Sequence, residues 1–135
     1  MEFLKWNKDY SVQVEEIDNQ HKKLVEMLNE LYVAFMHKEQ DKKVEEIITR
    51  MVDYTIYHFD TEETYFQELN YEDADEHIAE HEDFKNKLAE FQEKLKKNKS
   101  ALAIETINFL RGWLVNHIGK NDKKYIDCFV KGGLK

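Results

Sequence analysis

Six side chains able to bind a transition metal, His21, His58, Glu62, His77, His81 and His117, stand on helical apolar stripes where Leu or Ile would be expected. His58 and Glu62 are four apart, as are His77 and His81. At about 100° and 1.5 Å per residue, that interval stacks two ligands on one helix face, a little under about 6 Å apart. A lone histidine on an apolar face is more often a hydrogen-bonded core residue, but six such groups meeting at one place are a different matter. Buried without partners, each would cost on the order of several kcal/mol, and an ionised carboxylate far more. A metal centre removes the contradiction.

A seventh candidate, Asp122, lies five residues beyond His117, which in an ideal α-helix rotates it about 140° away. The spacing predicts that the last helix widens into a π-type turn, or breaks, around Gly119, so that Asp122 swings inward; π-bulges are frequent at functional sites. The set exceeds what one ion needs. Neutral imidazole suits iron, zinc or copper, and a bridging carboxylate suits a pair of hard, redox-active ions, which points to two irons.

These groups meet only if the elements carrying them are arranged to bring them together. Four segments have helical apolar periodicity, over 18–37, 41–68, 73–97 and 100–118, with an extended arm over 1–17 before them and a short helical segment after Gly119. Asp18 is placed to cap the first helix and Ser100 the fourth. The stripes read His21, Leu24, Leu28, Leu31, Phe35; then Val44, Ile48, Met51, Thr55, His58, Glu62; then His77, His81, Phe84, Leu88, Phe91, Leu95; then Ala103, Ile107, Leu110, Leu114, His117. Short polar connections make neighbours antiparallel, so the expected fold is all-α, an up-down-up-down four-helix bundle. The start of the first helix, the end of the second, the start of the third and the end of the fourth then share one end. His37 belongs to the opposite end and has no metal role, and Glu63, off the stripe, is expected in solvent. Trp113 is expected to be ordinary core, with a secondary role in keeping the pocket apolar.

Composition agrees. The 135 residues suffice for one domain, contain no proline and only four glycines, and so lack the punctuation of a β-rich chain. A net charge of −8 without a basic run argues against nucleic acid and anionic membrane as partners. No stretch is uniformly apolar over a membrane span and the first residues form no signal peptide, so a soluble cytoplasmic protein is expected. Cys128, the only cysteine, excludes an internal disulfide.

Over essentially its whole length the chain resembles the hemerythrin family, in particular its single-domain prokaryotic members. The resemblance rests on Trp6, Tyr10, Val14 and Ile17-Asp18-Asn19-Gln20-His21, on His58-Phe59-Asp60-Thr61-Glu62-Glu63, on the pair His77 and His81, and on Trp113-Leu114-Val115-Asn116-His117 followed by Asp122. It implies that His77, His81 and His117 complete one iron, that His21 and His58 serve the other, and that Glu62 and Asp122 bridge them beside an oxo or hydroxo group. It further implies reversible dioxygen binding at the iron with fewer ligands, with Leu24 and Leu114 lining the oxygen pocket. Storage, carriage, or delivery to an oxygen-consuming enzyme follows, rather than catalysis.

Three other readings compete. A ferritin-like carboxylate enzyme needs Glu-x-x-His pairs, but Asp18, Thr55, Ala74, Ile78 and Leu114 stand three residues before the histidines. An oxygen or redox sensor, or a peroxide or nitric oxide scavenger, would use the same centre; the absence of an output domain in these residues favours carriage. A structural bundle holding zinc is the third.

Overall fold

The computed structural model describes the backbone of residues 4–36, 41–97 and 99–135, and the side chains of 4–36, 43–94, 105–119 and 122–135. His37, the 38–40 break, and the side chains of Leu95, Ser100 and Ala103 lie outside the described residues. Four long helices, α1 (Glu15–Met36), α2 (Asp41–Glu68), α3 (Ala74–Lys97) and α4 (Lys99–Asn116), are followed by a short α5 (Ile126–Lys131). α1 packs on α2 and α4, and α3 on α2 and α4, which closes an up-down-up-down ring. None of the described helices is long and apolar enough to cross a membrane.

Two apolar cores divide the bundle. The larger fills its length with Leu24, Leu28, Leu31, Ile47, Ile48, Met51, Phe84, Leu88, Ile107 and Leu110. The smaller joins Val12, Val14 and Ile17 to Phe66, Tyr71, Tyr125 and Phe129 at the far end. Between them lies a belt of buried polar groups: His21, His58, Glu62, His77, His81, His117 and Asp122, none more than 4% exposed.

The N-terminal arm departs from a simple extended strap. Residues Lys8–Tyr10 form a 3-10 turn, with the Asn7 side chain accepting from the Asp9 N–H at 2.8 Å. Leu4 exchanges two hydrogen bonds with the Asn29 side chain, each 2.8 Å, tying the arm to the middle of α1. Helix α1 begins at Glu15, earlier than the expected Asp18, and Asp18 is therefore no cap. Its carboxylate turns back on the arm, accepting from Val12 N–H at 2.8 Å and from Ser11 Oγ at 2.5 Å. Those bonds hold the chain through Gln13, whose φ of 63° is a conformation few non-glycine residues adopt. They also seat Val12 and Val14 in the smaller core.

The exits of α2 and α5 use the same device. Tyr71 N–H reaches Phe66 O and Asn70 N–H reaches Gln67 O, with Asn70 at φ 53°, a Schellman ending in which asparagine takes the left-handed position. After α5, Leu134 N–H bonds Phe129 O and Gly133 N–H bonds Val130 O, and Gly133, at φ 96°, requires glycine. Lys135 then closes on the start of α1, because Glu15 N–H donates to Lys135 O at 3.1 Å.

Replacing Asp18 with alanine leaves the Val12 amide and the Ser11 hydroxyl without their charged acceptor. The loss should be about 2 kcal/mol, read as a lowered denaturant midpoint with an unchanged slope, and Asp18→Asn should lose less.

Candidate metal centre

Each helix supplies its histidines through local geometry. The four-residue intervals within α2 and α3 place His58 with Glu62, and His77 with His81, on inward faces. At the end of α4 the regular helix gives way to a π turn over His117–Asn121 and then a 3-10 turn over Asp122–Tyr125. The Asp122 N–H donates to His117 O, five residues back, so the extra residue in the turn brings Asp122 round to the side of His117. Gly119, within this turn, lies against the Tyr10 ring of the arm.

The seven side chains form two overlapping sets. Glu62, His77, His81, His117 and Asp122 offer five ligand atoms within 4.8 Å of one another, and His21, His58, Glu62 and Asp122 offer four. Glu62 and Asp122 belong to both. Asp122 Oδ1 lies 2.8 Å from His77 Nε2 and 2.8 Å from His117 Nε2, while Oδ2 lies 3.0 Å from His21 Nε2. One carboxylate thus turns an oxygen to each set. Glu62 Oε1 sits 3.2 Å from His58 Nε2 and 3.3 Å from His81 Nε2, and Oε2 accepts a short hydrogen bond from the Tyr125 hydroxyl.

Protein hydrogen bonding does not satisfy this arrangement. Glu62 Oε1, His81 Nε2, His117 Nε2 and Asp122 Oδ2 are buried without a hydrogen-bond partner despite their close neighbours. His21 Nε2 and His58 Nε2 face each other at 2.9 Å, and at most one of two neutral nitrogens can donate. Metal–ligand bonds of about 2.1 Å at right angles set neighbouring ligand atoms about 3.0 Å apart, which matches these separations. Lone pairs converging at coordination-edge distances, four of the atoms without any hydrogen bond, fit a metal pair. The cluster can hold metal.

The electrostatics agree. Burial opposes ionisation of Asp122, but His117, His21 and His77 overcome it and hold the carboxyl well below its usual range. Burial and the Asp122 charge both work against Glu62, yet His58 and His81 keep it depressed as well. Both carboxylates therefore remain anionic. Burial lowers His58, outweighing Glu62. His81 is buried too, but the neighbouring carboxylates of Glu62 and Glu63 raise it to about 9. The field that draws a proton to that position would draw a cation.

A surrounding layer escaped the sequence analysis. Gln20 Oε1 lies 2.7 Å from His58 Nδ1, and the Gln20 amide donates to Thr61 Oγ1 at 3.3 Å. Glu63, expected in solvent, instead reaches His81 Nδ1 at 2.9 Å with its side chain 23% exposed. Glu80 Oε2 approaches His117 Nδ1 at 3.7 Å. These contacts cross helix interfaces, so no local spacing announces them; only the buried Tyr125, whose hydroxyl needs a partner, carried a residue-level signal. Trp113 is more than core, since its ring stacks on His117 at 4.4 Å and on Phe84 at 3.7 Å, as Phe59 stacks on His81 at 3.7 Å. Leu24 and Leu114, both buried, stand three residues from His21 and His117 on the same helices and belong to the larger core.

Comparison with known proteins gives a consistent picture. The family model of the hemerythrin HHE cation binding domain matches residues 12–129. A bacteriohemerythrin of Pseudomonas aeruginosa is 35% identical over 128 residues, 95% of this chain and 82% of that protein. The bacteriohemerythrin of Clostridium acetobutylicum is 29% identical, over 90% of this chain and 98% of its own length. A crystal structure of wild-type hemerythrin superposes with a TM-score of 0.84 at 30% identity, covering 93% of this chain and 97% of that one. A mutant hemerythrin gives 0.86, with 95% and 98% covered. With more than half its length matched by the family model and an inward-facing cluster able to hold metal in the matching bundle, the chain belongs to the hemerythrin family.

Proposed function

We propose that this chain is an oxygen-binding protein that holds two non-haem irons, joined by an oxo or hydroxo bridge, and takes up dioxygen reversibly for storage, carriage, or delivery to an oxygen-consuming enzyme. The observation that carries the reading is the inequality of the two ligand sets, five atoms against four, sharing Glu62 and Asp122. If the bridge adds one ligand to each, a six-coordinate metal is complete on the His77, His81 and His117 side, and one position stays open on the His21 and His58 side. When bound, the ferrous pair supplies the electrons that dioxygen draws on and that return when it leaves.

The chain's own residues do the rest. Glu62 and Asp122 supply the negative charge that holds two cations close together, and five imidazoles complete the shell without adding more. Tyr125, whose hydroxyl burial holds well above its ordinary range, stays protonated and keeps one Glu62 oxygen fixed as acceptor. Leu24 and Leu114 line the proposed oxygen pocket, where an apolar wall excludes water and slows proton delivery. Reversible binding, with no turnover of a substrate, is what such a dry pocket favours. The single free cysteine, Cys128, supports a reducing cytoplasmic setting, and the net charge of −8 supports partners other than nucleic acid or anionic membrane.

Metal analysis of the purified protein should find two irons per chain, with a diferric charge-transfer spectrum that reappears in altered form when oxygen meets the reduced protein. Repeated oxygenation and deoxygenation supports carriage; immediate conversion to the diferric state on first exposure would replace carriage with sensing or scavenging. His77→Ala and His117→Ala should each bring the metal content below two per chain and lower the melting temperature, because the remaining polar groups stay buried without an ion. Leu114→Tyr should retain both irons yet change the oxygen dissociation or autoxidation rate in stopped-flow measurements, and unchanged rates would remove Leu114 from the pocket.

A further inference from the structure

The groups standing behind the histidines differ in charge between the two ligand sets. On the five-ligand side, His81 Nδ1 meets the Glu63 carboxylate at 2.9 Å and His117 Nδ1 faces Glu80 Oε2 at 3.7 Å, a carboxylate oxygen that is buried and otherwise unpartnered. On the four-ligand side, His58 Nδ1 meets the neutral amide oxygen of Gln20 at 2.7 Å, and His21 Nδ1 is buried with no partner. A carboxylate behind a metal-bound imidazole raises the basicity of that ligand, and so the electron density at the metal, more than an amide does.

We propose that Gln20 is a positioning residue that sets the redox poise of the open metal, keeping it the weaker electron donor of the pair by backing His58 with an amide in place of a carboxylate. The inference rests on the di-iron reading above. Gln20 is suited to the role by its own support: it is 4% exposed, and its amide nitrogen donates to Thr61 Oγ1, so its oxygen is the atom turned to His58. The consequence is a division of labour. Carboxylate-backed imidazoles stabilise the ferric state at the saturated metal, and the amide-backed one keeps the ferrous state accessible where oxygen must leave again.

The test compares Gln20→Glu, Gln20→Ala and Glu63→Gln in a mediated redox titration, in which each metal gives one electron to the electrode. Gln20→Glu keeps the hydrogen bond and adds charge, so it should shift the oxidation equilibrium about tenfold toward the ferric form, about 59 mV lower for a one-electron couple. Glu63→Gln should move it the opposite way. Zinc affinity of the metal-free protein separates charge from support: Gln20→Ala should weaken it about 10- to 100-fold, while Gln20→Glu should not weaken it. A potential unmoved by Gln20→Glu, or moved in the same direction by Glu63→Gln, overturns the assignment and leaves Gln20 a prop for His58. Should the unaltered protein fail to take up two irons or show no redox couple, the di-iron reading fails instead. If Gln20→Glu does not fold, the sign of the Glu63→Gln shift together with the Nδ1–H proton shifts of His58 and His81 in the zinc-loaded protein decides: equal shifts at the two histidines refute the asymmetry.

Discussion

Seven ionisable side chains buried between two apolar cores are the constraint around which this bundle is arranged. Leu or Ile at those positions would join the cores into one continuous interior, and the helices would need no irregularity. Instead the belt of imidazoles and carboxylates must be satisfied from within, because water is shut out by Leu24, Phe59 and Leu114 on one side and by Val12, Phe66 and Phe129 on the other. Protein donors and acceptors alone leave four of the inward-facing atoms unmatched. The polar belt therefore stores a deficit that bound cations would remove, which would couple metal binding to folding at this end of the molecule.

The smaller core exists to close that end. Its strands of support come from opposite ends of the chain: the arm, held by Asp18, and α5, held by its glycine ending and by the Lys135 to Glu15 bond. A Cβ on Gly132 would meet the Leu69 side chain at 2.6 Å, so a larger residue at this close approach would make Leu69 turn aside at the α2 exit. The same approach carries Tyr125 to Glu62. Thus packing between the start of α1 and the last residues, far apart from each other in sequence, supports the hydrogen bond that orients a shared carboxylate.

What could be read from the sequence was whatever repeats locally. Periods of three and four residues mark the four helices, and the same periods show histidines occupying inward positions. The five-residue step from His117 to Asp122 cannot be accommodated by a regular helix, which made the π turn legible as a conflict between spacing and geometry. The start of α1 was misplaced because Asp18 has the residue type of a cap while serving a tertiary role, gripping the arm. Glu63 looked solvent-bound since its helix face points away from the stripe, yet α3 packs close enough for it to reach the far nitrogen of His81. Gln20 and Glu80 were invisible for the same reason: a partner across a helix interface has no fixed spacing from the residue it supports.

The ligand inventory also bears on why oxygen would be held and not consumed. Five neutral imidazoles and two carboxylates leave a pair of divalent or trivalent cations with a net positive charge, whereas a carboxylate-rich shell would offset that charge and favour higher oxidation states. Further anionic groups lie outside the shell, at Glu63 and Glu80, where they would act through imidazole rings. Charge placed there softens the electron demand of the metal without adding a bridging or terminal oxygen ligand. Aromatic packing of Phe59 on His81 and of Trp113 on His117 then fixes those rings in the orientation through which the outer charge is felt. Under the proposed roles, oxygen chemistry in this bundle would be governed as much by what stands behind each histidine as by the histidine itself.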